Sequence, residues 1–193
     1  MDKKDIILAG VGGQGILSIA TVIGWAALDQ NLHLKQAEVH GMSQRGGDVQ
    51  SNLRLSRERI WSDLIPKGGC DLILSLEPME ALRYLPWLAP DGWIVTNTTP
   101  FVNIPNYPEM DDIHKELASV GRVVSVDCDV IAKDVGSPKS ANMVLLGASA
   151  SVMEIIDPEK LREGIAEVFA RKGEKIVEMN IAAFNAGLEA SKK

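Results

Sequence analysis

Thiol and imidazole ligands are scarce in this sequence. Only two cysteines, Cys70 and Cys128, occur in 193 residues, far apart and outside any C-x-x-C pattern. A four-thiolate iron–sulfur cluster therefore has no ligand set on this chain. The three histidines, His33, His40 and His114, show no metal spacing with one another or with the cysteines, so no zinc site is expected. A chain without export signals keeps its thiols reduced, and no disulfide is expected. Long apolar runs are missing too. The longest, Ile16 to Leu28, is shorter than the roughly 18 residues a membrane helix needs, and it contains Gly24. The opening MDKKD is followed by only four apolar residues before a glycine cluster, which is not a signal-peptide pattern. A cytoplasmic protein with no membrane partner is expected. Excess positive charge is also absent. The net charge is −6 and the pI near 5.1, which argues against a nucleic-acid partner.

What is present centres on Asp5 to Gly15, DIILAGVGGQG. Ile6, Ile7, Leu8 and Ala9 form a short apolar run, the mark of a buried strand. Gly10, Gly12, Gly13, Gln14 and Gly15 follow, and then a long apolar segment without proline. The order is strand, glycine turn, helix. Glycine lets backbone approach a neighbour closely, and a helix start offers free N–H groups that attract anions. Gly10, Gly12 and Gly15 also fit G-x-G-x-x-G, the dinucleotide fingerprint. That fingerprint needs an acidic residue roughly 20 positions on. Asp29 falls too early and Glu38 a little late. A tight β–α turn and direct contact with a ligand or partner are both compatible with these glycines.

The rest of the chain alternates strand and helix patterns. His33 to Val39 reads as a strand, and Val49 to Ser56 as another with imperfect alternation. Arg57-Glu58 could turn the chain into Ile60-Trp61 as a hairpin partner. Asp71 to Leu76 is a buried strand, and Glu77-Pro78 starts a helix. Pro90-Asp91-Gly92 reads as a turn before the strand Trp93 to Asn97. Residues 98–108 hold three prolines and form a surface loop. A helix over 109–120, a strand over 122–126 and a short helix over 129–135 follow. Ser140 to Ile156 is a buried helix, and Asp157-Pro158 begins the next. Val177, Ile181, Phe184 and Leu188 stripe the last. The pattern predicts an α/β fold over residues 1–193 as one domain. Its three-layer, mostly parallel, Rossmann-like sheet carries helices on both faces and a helical C-terminal third from about residue 140. Ligands of such sheets sit at the carboxyl ends of the strands.

A second glycine stretch, EVHGMSQRGGD over 38–48, follows a strand and lies on the same predicted edge. Arg45 offers five fixed donors suited to carboxylate or phosphate, and Gly46 and Gly47 leave the backbone bare. Ser43 lacks the G-x-S-x-G context of an activated nucleophile. Asp127 and Asp129 follow a strand and are expected to cap a helix. Between them, Cys128 has a raised rather than an activated thiol pKa. Ser75-Leu76-Glu77 is read as a helix cap. No complete catalytic constellation emerges, and the residues alone describe a binding or assembly domain.

GVGGQG after an N-terminal strand, HGMSQRGG some thirty residues later and NMVLLG at Asn142 to Gly147 together resemble the gamma-type subunits of 2-oxoacid:ferredoxin oxidoreductases. The form HGMSQRGG is most similar to the beta subunits of indolepyruvate:ferredoxin oxidoreductases. The resemblance covers nearly the whole chain. It implies a non-catalytic subunit of an enzyme that decarboxylates aryl pyruvates oxidatively with CoA to aryl-acetyl-CoA, CO₂ and reduced ferredoxin. It places thiamine diphosphate and the 4Fe-4S clusters on a large alpha subunit, with ferredoxin reached through the complex. By the same analogy Gly10, Gly12, Gly13, Gln14, Gly15, Ser43, Gln44, Arg45, Gly46 and Gly47 line an edge that faces CoA or the partner. Asp48 departs from the small hydroxyl residue usual after RGG, and its charge does not suit a phosphate. An NAD(P)-binding Rossmann oxidoreductase and a stand-alone interaction protein are the alternatives.

Overall fold

The computed structural model describes residues 2–40 and 46–192. Six strands form its sheet: β1 (Lys3–Val11), β2 (His33–His40), β3 (Asp48–Ser56), β4 (Cys70–Ser75), β5 (Leu88–Asn97) and β6 (Val123–Val126). Seven helices accompany them: α1 (Ile16–Asp29), α2 (Pro78–Arg83), α3 (Met110–Val120), α4 (Cys128–Asp134), α5 (Ala141–Met153), α6 (Pro158–Phe169) and α7 (Glu174–Ala190). The strand order is β2-β3-β1-β4-β5-β6. β1, β4, β5 and β6 pair in parallel, and β3 runs antiparallel to both of its neighbours, β1 and β2. No helix among the described residues is long and apolar enough to cross a membrane.

The apolar run of β1 faces both ways, as a central strand must. Ile6 and Leu8 join Leu53, Leu72, Leu74 and Val95 under α1 and α5. Ile7 and Ala9 join Ile73 and Ile94 under α2 and α3. Helices α6 and α7 pack on α1 and α5, so the C-terminal helices form an outer tier on one side of the sheet. Asp157 caps α6 by accepting the Glu159 N–H at 2.9 Å, with Pro158 in the first turn.

Two expectations are corrected. Ile60-Trp61 forms no strand. β3 is flanked by β1 and β2 along its length, so no free edge remains for a hairpin partner. Pro90-Asp91-Gly92 is not a turn between elements but part of β5. The ladder shifts register there, between Cys70 and Leu72 of β4. A proline is tolerated at such an irregularity because no regular ladder bond is lost. A Cβ on Gly92 would lie 2.8 Å from the Cys70 carbonyl, so the strands approach too closely for a side chain.

An ion pair secures the opposite end of the sheet. Arg54 Nε and Nη2 donate to the two Asp5 oxygens at 2.8 and 2.9 Å. Its Nη1 donates to the Ser62 and Leu64 carbonyls at 3.1 and 3.0 Å, fixing the loop after β3. Asp5 is buried, which by itself pushes its carboxyl up. The hydrogen bonds from Arg54 and Lys3 outweigh burial and hold it below the usual carboxylate value. A depressed folded-state pKa stabilises the fold above the unfolded value of about 4, and that contribution disappears as pH falls through the folded value. Thermal unfolding followed from pH 6 to pH 2 is expected to show a steeper acid loss of midpoint in the native chain than in Asp5→Asn. Parallel curves would remove Asp5 from the acid limb.

Candidate functional site

The carboxyl ends of β1 and β4 and the start of β3 meet at one edge. Gly12 N–H donates to the Gly47 carbonyl at 2.8 Å, and Gly46 N–H to the Gly12 carbonyl at 3.4 Å. These bonds extend the β1–β3 ladder past its last pair, Val11 with Asp48. The structure therefore brings Gly12 beside Gly46 and Gly47. Ser43, Gln44 and Arg45 lie outside the described residues. Gly13, with φ of 103°, is exposed and has open space where a Cβ would stand. Gly15, with φ of 87°, caps α1 in the left-handed region. Both positions need glycine for that backbone alone.

Gln14 has a different part from the one its position suggests. Its Oε1 accepts the Val11 N–H at 2.7 Å, and its Nε2 donates to the Leu76 carbonyl at 3.1 Å. The side chain binds the β1–α1 turn to the β4–α2 connection. Gly10 is bare to make room for it, since a Cβ there would lie 2.9 Å from Gln14 Oε1. Asn142, from NMVLLG, donates from Nδ2 to the Gly15 carbonyl at 3.2 Å and so ties α5 to the same turn.

A third segment completes the edge. Asn103, in the 98–108 loop, donates from Nδ2 to the Gly46 carbonyl at 2.8 Å. Glu77 anchors that loop from below. Its Oε1 accepts the Phe101 N–H at 3.3 Å and the Tyr107 hydroxyl, while its Oε2 caps α2 by accepting the Glu80 N–H at 2.8 Å. Burial, and then the bond to Glu77, pushes the Tyr107 hydroxyl pKa up. Cap is thus the right reading of Glu77, and anchoring the proline-rich loop is the role sequence reasoning missed. No local signal marks that role, because α2 and β5 separate Glu77 from the loop in sequence.

The edge is largely apolar on its outer side. Val39 is 54% exposed and Val102 66%, with Leu17 and Phe101 also outward. A dimple of about 280 Å³ lies between Gly12, Gly13, Leu17 and Val49, and no ionisable group lines it. That is at the lower limit of small-molecule pockets, roughly 300 Å³, and suits an inserted side chain. Asp48 does not line it; near α2, its charge adds to the Glu80 hydrogen bond in raising the Arg83 pKa. Burial first, then the nearby Asp48 and Glu80, pushes the Tyr84 hydroxyl up to about 12.

The remaining candidates are structural. Asp127 caps α4, accepting the Val130 N–H at 3.0 Å. Asp129 instead accepts from Asn97 Nδ2 at 2.9 Å, while Asn97 Oδ1 accepts the Cys128 N–H at 3.0 Å. Burial, with Asp129 and Asp127 adding, pushes the Cys128 thiol far up. Burial pushes Cys70 up to about 12. Neither is a thiolate near neutral pH, so neither suits a cluster or a nucleophile. Among the described residues no group of three or more His, Cys, Asp or Glu could hold a metal ion. The dinucleotide reading fails on topology. Its acidic residue belongs on the strand next to the first one, but β3 lies between β1 and β2, which carries Glu38.

The family model for pyruvate ferredoxin/flavodoxin oxidoreductase matches residues 5–190. "Indolepyruvate oxidoreductase subunit IorB" of Thermococcus kodakarensis is 35% identical over 202 residues, spanning 100% of this chain and 98% of the relative. The protein of the same name from Archaeoglobus fulgidus is 36% identical over 193 residues, covering 96% of this chain and 94% of its own. The crystal structure of the keto/oxoacid ferredoxin oxidoreductase gamma subunit from Geobacter sulfurreducens shares the fold. Its TM-score is 0.71 at 24% identity, with 98% of each chain covered.

Proposed function

The chain belongs to the pyruvate ferredoxin/flavodoxin oxidoreductase family, and from that premise we propose that it is the non-catalytic small subunit of an indolepyruvate:ferredoxin oxidoreductase. The enzyme oxidatively decarboxylates arylpyruvates with CoA, giving aryl-acetyl-CoA, CO₂ and reduced ferredoxin. A large alpha subunit carries thiamine diphosphate and the 4Fe-4S clusters, and ferredoxin docks on the complex rather than on this chain. Residues 1–193 act as a single gamma-type domain in the cytoplasm, without nucleic-acid or membrane partners.

One observation carries this reading: end-to-end similarity to IorB subunits, covering 100% of this chain and 98% of one relative. The site agrees in character. Its edge offers bare backbone at Gly12, Gly13, Gly46 and Gly47 with outward apolar side chains, and its two thiols are buried. Such a surface suits contact with a larger body that owns the reactive groups. In this proposal Gly10, Gly12, Gly13, Gln14, Gly15, Ser43, Gln44, Arg45, Gly46 and Gly47 form or support the edge toward the alpha subunit or CoA. Gln14 and Gly10 act from beneath by shaping the turn.

The test is reconstitution. The chain alone is expected to give no dye reduction from indolepyruvate and CoA, and addition of the large subunit is expected to restore it. Substantial turnover by the chain alone, or full activity of the large subunit without it, would overturn the assignment.

A further inference from the structure

The sheet has two edges, and they differ. β6 is four residues long, while β2 is eight, HLKQAEVH, without proline or glycine. β3 runs along one side of β2 in unbroken register, from His33 with Ser56 to His40 with Val49. Helix α1 lies across one face. No element among the described residues lies along the other side. Proteins blunt an open edge with proline, a bulge, a short strand or charged side chains. β2 has only the last of these, and its two charges, Lys35 and Glu38, are of opposite sign.

The neighbouring ladder shows which backbone groups face outward. Gly12 N–H donates to the Gly47 carbonyl at 2.8 Å and Arg57 N–H to the Asp2 carbonyl at 2.9 Å, at the two ends of the β1–β3 pairing. The even residues of β1 therefore bond to the odd residues of β3. Bonding alternates sides along an antiparallel strand, so the even residues of β3 bond to β2. Their partners are His33, Lys35, Ala37 and Val39. The N–H and C=O groups of Leu34, Gln36, Glu38 and His40 are left pointing away from the sheet.

Such a row suits a second copy of itself about a two-fold axis perpendicular to the sheet. Because side chains alternate in face, the axis must pass through a residue, which then stands opposite its own copy. Charge decides which residue that is. An axis at Lys35 or at Glu38 sets like charges opposite, which is destabilising. An axis at Gln36 sets Leu34 opposite Glu38. An axis at Ala37 sets Gln36 opposite Glu38, an amide facing a carboxylate, and Lys35 opposite Val39. Gln36 Nε2 already donates to Glu38 Oε1 within the strand, so the two side chains share a face and suit each other. Val39 is 54% exposed in the single chain. A lysine stem covers such a residue while its ammonium stays in water.

We propose that this chain forms an antiparallel two-fold dimer through β2, with Ala37 on the axis, joining two sheets into one. The hydrogen-bonded pairs are Gln36 with Glu38 and Leu34 with His40, each formed twice. Ala37 and its copy make a non-hydrogen-bonded pair, with Cα atoms about 4.5 Å apart. The dimer needs only this chain and does not depend on the large subunit.

Cysteine scanning of the full chain under mild oxidation tests it. Both native cysteines are buried, so each added thiol reports alone. A separation of about 4.5 Å lies within the roughly 4.4–6.8 Å that a disulfide spans. Ala37→Cys is expected to give a covalent dimer. Lys35→Cys, Gln36→Cys and Glu38→Cys are expected to give none, since each stands at least two residues out of line with its own copy. Sedimentation equilibrium of the native chain is expected to give a dimer. Ala37→Glu sets two carboxylates at the axis and is expected to weaken the dimer at least about tenfold. Its circular-dichroism spectrum should match the native one, because Ala37 is only half-buried. Crosslinking at Gln36→Cys in place of Ala37→Cys would overturn the register. A native chain still monomeric at on the order of 100 µM, or an Ala37→Glu variant that dimerises as well as the native chain, would overturn the dimer. So would a monomer whose Ala37→Cys thiol is shielded from alkylation only by the large subunit, a result that gives the edge to that subunit. Dye reduction in reconstitution is a separate readout, so this dimer and the assignment above can fail independently.

Discussion

Gly147→Ala is expected to destabilise the chain by about 3 kcal/mol or more, the upper end of the cost of overpacking. A Cβ at Gly147 would lie 1.9 Å from the Phe184 carbonyl oxygen, and one at Gly187 lies 1.9 Å from the Val144 carbonyl oxygen. The contacts are reciprocal. Helices α5 and α7 cross backbone to backbone, each with a glycine under the other's carbonyl. Because the obstacle is backbone, no rotamer change relieves it, and the helices must move apart through a dense interior. A loss of this size is a large part of the roughly 5–15 kcal/mol that holds a domain folded. Gly187→Ala is expected to cost about as much. The double variant is expected to cost far less than the sum, because one separation of the helices accommodates both methyl groups. Gly13→Ala is the contrast. Nothing stands near its Cβ position, so only its φ of 103° opposes a side chain, at about 1–2 kcal/mol. Denaturant midpoints for the four variants decide the matter. Strict additivity of the two helix variants, or a loss at Gly147 no greater than at Gly13, would show that α5 and α7 do not meet as described. The position also matters to the site, since the first turn of the same helix carries Asn142, which holds the Gly15 carbonyl.

This crossing shows what the sequence makes legible and what it hides. The small residues of 140–156 mark a buried helix, and α5 is buried nearly all round. Which glycine admits a neighbour, and which neighbour, depends on α7, some forty residues on. The same division runs through the molecule. Local signals are strong where one segment determines its own state: the apolar run of β1 with its glycines, Asp157-Pro158 before α6, and Glu77-Pro78 before α2. They fail where a distant partner decides. Pro90-Asp91-Gly92 carries turn residues, but pairing with β4 keeps it in a strand. Ile60-Trp61 carries strand residues, but both sides of β3 are already taken. At the edge, the two glycine stretches were placed together by the rule that ligands meet strand ends, and Gly12 does bond to Gly46 and Gly47. The inward role of Gln14 left no local mark, because it arises from a contact between distant segments.

Glu77→Ala is expected to cost about 3 kcal/mol and to weaken assembly as well. The side chain is wholly buried and serves three donors: the Glu80 N–H, the Phe101 N–H and the Tyr107 hydroxyl. Losing the cap of α2 costs about 1 kcal/mol. Each N–H left buried without a partner adds about 1 kcal/mol or more. Glu77→Gln keeps one acceptor oxygen and is expected to cost about half as much. The functional effect follows from the order of the contacts. Glu77 holds Phe101 and Tyr107, which flank Asn103 in the loop, and Asn103 in turn holds the Gly46 carbonyl beside Gly12. Freed from Glu77, the 98–108 loop takes its exposed Phe101 and Val102 out of register with the glycine edge. Amide exchange at Phe101 and Asn103 should quicken well beyond what the global loss of stability explains. In reconstitution, more of the variant than of the native chain should be needed for half-maximal activity, with the activity at saturation unchanged. Equal titration curves would separate the 98–108 loop from the alpha-subunit surface, while unaltered local exchange would show that Glu77 is a helix cap and nothing more.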